Sequence, residues 1–291
     1  MRDQAEKLRE KLMNKYRQSA KTLAIVSGKG GVGKSNIAIN IALLLANQEK
    51  KVLLFDFDIG MGNVHVLLGA DGNKSISDFL YRDIPIEEII YTGPNNVSYI
   101  SAGNGFSNII ELDNDMVSRL IGGLEHLQNL YDYIIFDMGA GATSSNLQIL
   151  LSVDDIIVIT TPEPTSITDA YSMMKYISIQ DSANRFFLIC NRADNEKEGM
   201  FVLEKLQLTV NKFLDKEIYL LGVLPEDQHV RKAVKLQVPF YQAFPASSIS
   251  FKLEKIVGKY LGKEEKMTSQ HSTANRFIRK FRNFFFERQG Q

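Results

Sequence analysis

The chain has no tryptophan, a single cysteine and only seven prolines in 291 residues. One cysteine excludes an internal disulfide and fits a reducing cytosol. It also weakens an iron–sulfur reading, because such clusters are held by sets of cysteines. Net charge is lacking too: 34 Lys+Arg balance 34 Asp+Glu, so no global field draws the chain to nucleic acid and DNA is an unlikely partner. No stretch reaches the ~18–20 apolar residues of a membrane span, and the N-terminus is charged rather than signal-like. The four histidines show no metal-ligand spacing, so His229 reads as a surface residue. What is present is a 44% hydrophobic chain, long enough for one large α/β domain with a substantial core.

Apolar, partly β-branched runs recur along it: TLAIVS (Thr22–Ser27), KVLLFDF, VSYISA, DYIIFDM, DIIVITT, RFFLICN and IYLLGVLP. Helical patterns lie between them, at Asp113–Leu130, Thr165–Ile179 and Glu196–Leu214. Near-continuous apolar strands alternating with amphipathic helices predict an α/β fold, a mostly parallel twisted sheet flanked by helices on both faces. Ligands on such sheets sit at the carboxyl ends of the strands. Cys190, inside RFFLICN, reads as an inert core residue. No internal repeat is visible, and the polar Gly262–Asn275 reads as a linker.

The stretch SGKGGVGKSNIA (Ser27–Ala38) carries the chemistry. It joins a predicted strand to a predicted helix and fits G-x-x-x-x-G-K-S through Gly28, Gly33, Lys34 and Ser35. Glycines let backbone N–H groups wrap phosphates, and the helix N-terminus adds positive potential. Lys34 would reach the β/γ phosphates and the Ser35 hydroxyl would bind Mg²⁺. Lys29 is surplus to this motif. It does not fold easily onto phosphates that its own loop wraps, so it either reaches a nucleotide in a second subunit or is simply a solvated loop lysine.

Lys29, Gly30, Gly31, Val32, Gly33, Lys34 and Ser35 match K-G-G-x-G-K-[ST] residue for residue, and the chain here resembles the MinD/ParA family of deviant Walker ATPases. The resemblance covers roughly Lys21 to Leu261. It implies ATP and ADP as ligands, Mg²⁺ as cofactor, and an ATP-dependent homodimer in which Lys29 contacts the partner's nucleotide. It also implies roles at the strand ends. Asp56 helps hold the Mg²⁺ shell, Asp58 orients the attacking water, and Asp137 resembles the Walker B aspartate, with Gly139 and Gly141 leaving its loop free to move. Catalysis would rest on Asp58, Lys29 and Lys34, with slow, switch-like turnover. In the same family an asparagine reads adenine and a Pro-Glu-Asp loop closes over it; Asn191 with Pro225, Glu226 and Asp227 matches. Arg192 either stacks on the base or lies in solvent.

The two ends differ from this body. NRFIRKFRNFFFERQ places Phe277, Phe281, Phe284 and Phe285 on one stripe beside Ile278, with Arg276, Arg279, Lys280, Arg282 and Arg288 on the other faces. That is the composition of an interfacial anchor for an anionic membrane surface. The competing reading is a terminal helix docked on the protein's own core; the polar linker before it favours independence. At the other end, Ala5, Leu8, Leu12 and Tyr16 form only a narrow apolar stripe. DQAEKLR, which carries Asp3, Gln4, Leu8 and Arg9, resembles the activator motif of the family's FlhG branch. That resemblance implies flagellar placement as the role, and as partners the signal-recognition-type GTPase FlhF and the flagellar C-ring switch proteins. The expected organisation is an N-terminal activator extension (1–21), an ATPase domain (22–261), a linker (262–274) and a membrane-targeting helix (275–291). The expected place is the cytoplasm, at the inner face of the cell membrane. Division-site MinD and a ParA-like DNA-partition ATPase are the alternatives.

Overall fold

A computed structural model describes residues 19–57, 64–67, 74–101, 113–139, 141, 144–180, 184–268 and 276–287. Asp58 and the Asp3, Gln4, Leu8 and Arg9 motif lie outside the described residues, as do the side chains of Phe284 and Phe285.

Strand β1 (Lys21–Val26) sits near the middle of an eight-stranded sheet of order β3-β4-β2-β5-β1-β6-β7-β8. The other strands are β2 (Val52–Phe57), β3 (Tyr91–Thr92), β4 (Ser98–Ser101), β5 (Tyr133–Met138), β6 (Asp155–Thr160), β7 (Arg185–Ala193) and β8 (Ile218–Pro225). All seven expected strands are present and parallel; the short β3, which sequence reading missed, pairs antiparallel with β4 at the edge.

Side chains on successive strand residues point to opposite faces, and both faces are apolar. Leu23 and Ile25 face one core with helices α1 (Lys34–Ala46), α8 (Gln228–Leu236), α9 (Phe240–Ala243) and α10 (Ser248–Thr268). Ala24 and Val26 face the other. There they meet α3 (Ile76–Tyr81), α4 (Asn114–Leu130), α5 (Ser144–Ser152), α6 (Pro164–Gln180), α7 (Glu196–Leu214) and α11 (Arg276–Glu287). A short α2 (Val64–Leu67) follows β2. Cys190 is fully buried in β7, and burial pushes its thiol up to about 12, consistent with an inert core residue.

At the amino ends of the strands, Asp155 is fully buried and gathers Lys21 Nζ at 3.3 Å, Arg185 Nη2 at 2.6 Å and the Tyr260 hydroxyl at 2.8 Å. Tyr260 thereby ties α10 to the far end of the sheet. That helix continues to Thr268, so the first residues of the expected linker are helical.

The C-terminal helix corrects an expectation. Its stripe does not stand apart: Phe277, Ile278 and Phe281 are buried at 1%, 4% and 0% exposure against the second core. Phe277 stacks on Phe136 of β5 at 5.6 Å and on Phe281 at 5.8 Å. Lys280 Nζ donates to the Leu151 carbonyl at 3.0 Å, and Arg282 pairs with Glu125 of α4. Burying three such side chains is worth about 1.5–3 kcal/mol each. The docked alternative is what the structure contains.

Candidate functional site

β1 delivers the chain into the phosphate loop, and α1 leaves it at Lys34. Gly31 and Gly33 adopt φ of 77° and 94°, the left-handed region that favours glycine. Gly28 answers a different demand: a Cβ there would lie 2.2 Å from the Asp169 carbonyl carbon, so the loop rests directly on the α6 backbone. The Ser27 hydroxyl donates to the Lys29 carbonyl at 2.8 Å, and the Gly141 N–H donates to the Ser27 carbonyl at 3.1 Å. The loop after β5 is thus fastened to the loop after β1.

Both lysines of the loop are held by carboxylates. Lys34 Nζ is 2.7 Å from Asp137 Oδ1, and both side chains are buried. Lys29 Nζ turns outward instead, 2.6 Å from Glu163 Oε2 and 3.2 Å from the Thr165 hydroxyl at the start of α6. Its hydrogen bond holds the Glu163 carboxyl below the usual carboxylate range, with smaller help from its charge and from Arg192.

Asp56 and Asp137 are register partners on the adjacent strands β2 and β5, and both are buried. Asp56 Oδ2 accepts the Val64 N–H at 3.2 Å. With the Ser35 hydroxyl in the first turn of α1, they form a set of hard oxygen donors. Mg²⁺ usually takes one or two carboxylates and fills its octahedron with phosphate oxygens and water, so this set fits it. Among the described residues no three His, Cys, Asp or Glu side chains form a metal cage of their own. When bound, Mg²⁺ would neutralise developing charge on the phosphates.

A small pocket opens beside this loop, lined by Gly33, Ile37, Asn191, Arg192, Pro225 and Phe240 among others. Asn191 and Arg192 lie within the last residues of β7, where its pairing to β8 slips. Asn191 Nδ2 donates to the Val32 carbonyl at 2.7 Å, which stitches the pocket to the phosphate loop. A Cβ on Gly33 would stand 2.6 Å from that nitrogen. Arg192 holds a left-handed φ of 57°, and its Nε lies 3.6 Å from Glu226 Oε2, while Arg231 reaches Glu226 Oε1 at 3.2 Å. Asp227 lines the pocket, but its carboxylate works mainly as the cap of α8: Oδ1 accepts the His229 N–H at 2.8 Å. Burial alone would raise that carboxyl; the His229 N–H and ring hold it below its ordinary value.

Residues 18–261 match the sequence model of the ParA family, described as an NUBPL iron-transfer P-loop NTPase. The chain belongs to the ParA family. The antiactivator FleN of Pseudomonas aeruginosa is 32% identical over 237 residues, which cover 81% of this chain and 85% of that protein. The flagellum site-determining protein YlxH of Helicobacter pylori is 31% identical over 257 residues, 85% of this chain and 84% of that one. MinD of Aquifex aeolicus, solved with MinC, superposes with a TM-score of 0.68 at 26% identity, over 84% of this chain and 96% of its own. MinD of Pyrococcus horikoshii, solved with Mg-ADP, shares the fold with a TM-score of 0.66 at 24% identity, over 86% and 98% of the two chains. The expected fold and class therefore stand: this ParA-family chain is a P-loop ATP hydrolase, and a flagellum site-determining protein is among its relatives. The chain's single cysteine, Cys190, is buried in β7.

The structure brings together Lys29, Lys34, Ser35, Asp56, Asp137, Asn191, Arg192 and the Pro225–Asp227 loop at the carboxyl ends of the strands. It adds Glu163, Thr165, Asp169, Arg231, Phe240 and Ile249, which sequence reading did not single out. Of these only Glu163 carried a signal, its place between Pro162 and Pro164 directly after a strand.

Proposed function

We propose that the chain is an ATP-dependent, membrane-cycling homodimer that regulates the number and placement of flagella. Its likeness to FleN and YlxH over more than four-fifths of the chain carries the flagellar reading. The outward turn of Lys29, away from the phosphates its own loop would wrap, supports the dimer. ATP and Mg²⁺ would favour the closed pair, with Lys29 of each subunit on the other's nucleotide. Hydrolysis, with Asp58 orienting the attacking water, would release it.

Membrane association would run through α11. In the single chain its apolar stripe is docked, so binding requires undocking. Lipid rehouses the same Phe277, Ile278 and Phe281, so the apolar terms nearly cancel. Arg276, Arg279, Lys280 and Arg282 then add about 1 kcal/mol each near anionic lipid. A dimer presents two such helices and gains avidity. ATP thereby becomes the membrane switch.

Asp3–Arg9 would supply the partner contact. Gln4 has the chemistry to orient an attacking water, Arg9 to neutralise transition-state charge, and Leu8 to grip a groove. The deciding experiment is whether a peptide of residues 1–21, and separately the full chain, accelerates GTP hydrolysis by FlhF. An inert peptide and an inert full chain would remove this partner. Binding to the C-ring switch proteins is a separate pull-down. Pelleting with anionic liposomes against DNA, each with ATP, separates this reading from a DNA-partition role. A chain that pellets with lipid but ignores FlhF points to division-site work.

A further inference from the structure

The ion pair between Lys29 and Glu163 bears on the dimer reading above and rests on it. Both ends of the pair are fixed. Gly28 lies against the α6 backbone at Asp169, and the Lys29 carbonyl is tied by Ser27, so Lys29 starts from a set position. Glu163 stands between Pro162 and Pro164, and its own carbonyl accepts the Ile167 N–H at 3.1 Å as α6 begins.

The place is a poor one for a cation. A helix N-terminus carries positive potential, so the start of α6 on its own repels an ammonium. Among the described residues, the Glu163 carboxylate at 2.6 Å and the Thr165 hydroxyl at 3.2 Å offset that repulsion. We propose that Glu163 is a positioning residue that restrains dimerisation: it holds Lys29 on its own subunit, and closing the dimer requires Lys29 to exchange this carboxylate for the partner's phosphates. Glu163 would then be left beside incoming negative charge. Arg192, the second cation whose field reaches it, remains to offset it.

The pair is half exposed, with side-chain exposures of 41% and 61%, so the restraint is modest by construction. Pairs of this kind change an equilibrium by about one and a half- to fivefold. Each dimer breaks two, which compounds to about two- to twenty-five-fold in the dimer dissociation constant. The carboxylate is set against phosphates and a helix end, so removing it drives Lys29 outward rather than merely freeing it.

The test is sedimentation of full-length chains with Mg²⁺ and a non-hydrolysable ATP analogue. Glu163→Gln should dimerise at a severalfold lower protein concentration than wild type, and the gap should shrink as salt screens the pair. Thr165→Val, which removes only the second acceptor, should shift the same way by less. The thermal midpoint of the monomer should fall by no more than an exposed pair is worth, whereas a merely structural role would leave dimerisation no better than wild type. Glu163→Gln added to Lys29→Ala should gain nothing. If Lys29→Ala dimerises like wild type, the dimer reading itself falls. If Lys29→Ala stays monomeric while Glu163→Gln dimerises no better than wild type, the restraint is refuted.

Discussion

The Lys34 ammonium lies 2.7 Å from Asp137 Oδ1, with both side chains buried, so the chain supplies a counterion for its own phosphate-binding lysine. Nucleotide binding at this site would be an exchange of partners, with Lys34 free to turn to phosphate and Asp137 to a metal. Breaking a buried pair from one side strands the other charge, at a cost of about 3–5 kcal/mol. Asp137→Ala is expected to lose stability on that scale, read as a lowered urea midpoint without nucleotide. Asp137→Asn, which keeps a hydrogen-bond acceptor, should lose less. A wild-type midpoint in Asp137→Ala would mean that the pair carries no weight in the fold.

The two loop lysines should separate cleanly in binding experiments. Lys34→Ala is expected to lose tight nucleotide binding outright. Lys29→Ala should bind ATP as wild type does and remain monomeric, because its ammonium sits 2.6 Å from Glu163 and not on the phosphate side. Asp58→Ala should bind ATP and dimerise but fail to hydrolyse it. Nucleotide titration, sedimentation and phosphate release measure the three properties independently. A hydrolysing Asp58→Ala would move the water-orienting role elsewhere.

Much of this site was legible because its parts are local. Gly28–Ser35 is one contiguous loop between a strand and a helix, and Asp56 and Asp137 each end an apolar strand. Local pattern stops where contacts become distant. Lys29 and Glu163 are 134 positions apart, and no periodicity links them. The apolar run RFFLICN ends at Asn191, yet the pairing of β7 with β8 resumes at Ala193 after a register shift and carries the strand through Arg192. The C-terminal helix shows a deeper limit. An aromatic stripe at helical spacing says that an apolar phase receives it, but lipid and a groove made by Phe136 and α5 satisfy the same pattern.

That docked helix yields a test that leaves its own sequence untouched. Arg282 pairs with Glu125 of α4, a contact made in the docked arrangement. Glu125→Ala removes the tie without changing any residue that would meet lipid. Liposome binding with ADP should rise by up to about fivefold, the range of an exposed pair. Phe281→Ala, by contrast, should weaken docking and membrane binding together. Unchanged lipid binding in Glu125→Ala would show that undocking does not limit membrane association.

Base selection should turn on Asn191. One of the two N–H bonds of its amide is committed to the Val32 carbonyl at 2.7 Å, which fixes the amide's orientation and leaves its carbonyl oxygen and second N–H for a base. Adenine presents an amino donor at its 6-position; guanine presents a carbonyl, which would set two acceptors against each other. An unmatched buried polar group costs about 1–3 kcal/mol, so ADP should bind about five- to a hundred-and-fiftyfold more tightly than GDP. Asn191→Ala removes both the acceptor and the stitch to the phosphate loop. It should therefore weaken ADP more than GDP, shrinking the preference while both affinities fall. Asn191→Asp keeps an acceptor but places a carboxylate against the Val32 carbonyl, so it should lose affinity for both nucleotides. Calorimetric titration of the three chains with ADP and GDP reads the difference directly. If Asn191→Ala kept the wild-type preference, the base would have to be read by backbone groups of the Pro225–Asp227 loop instead.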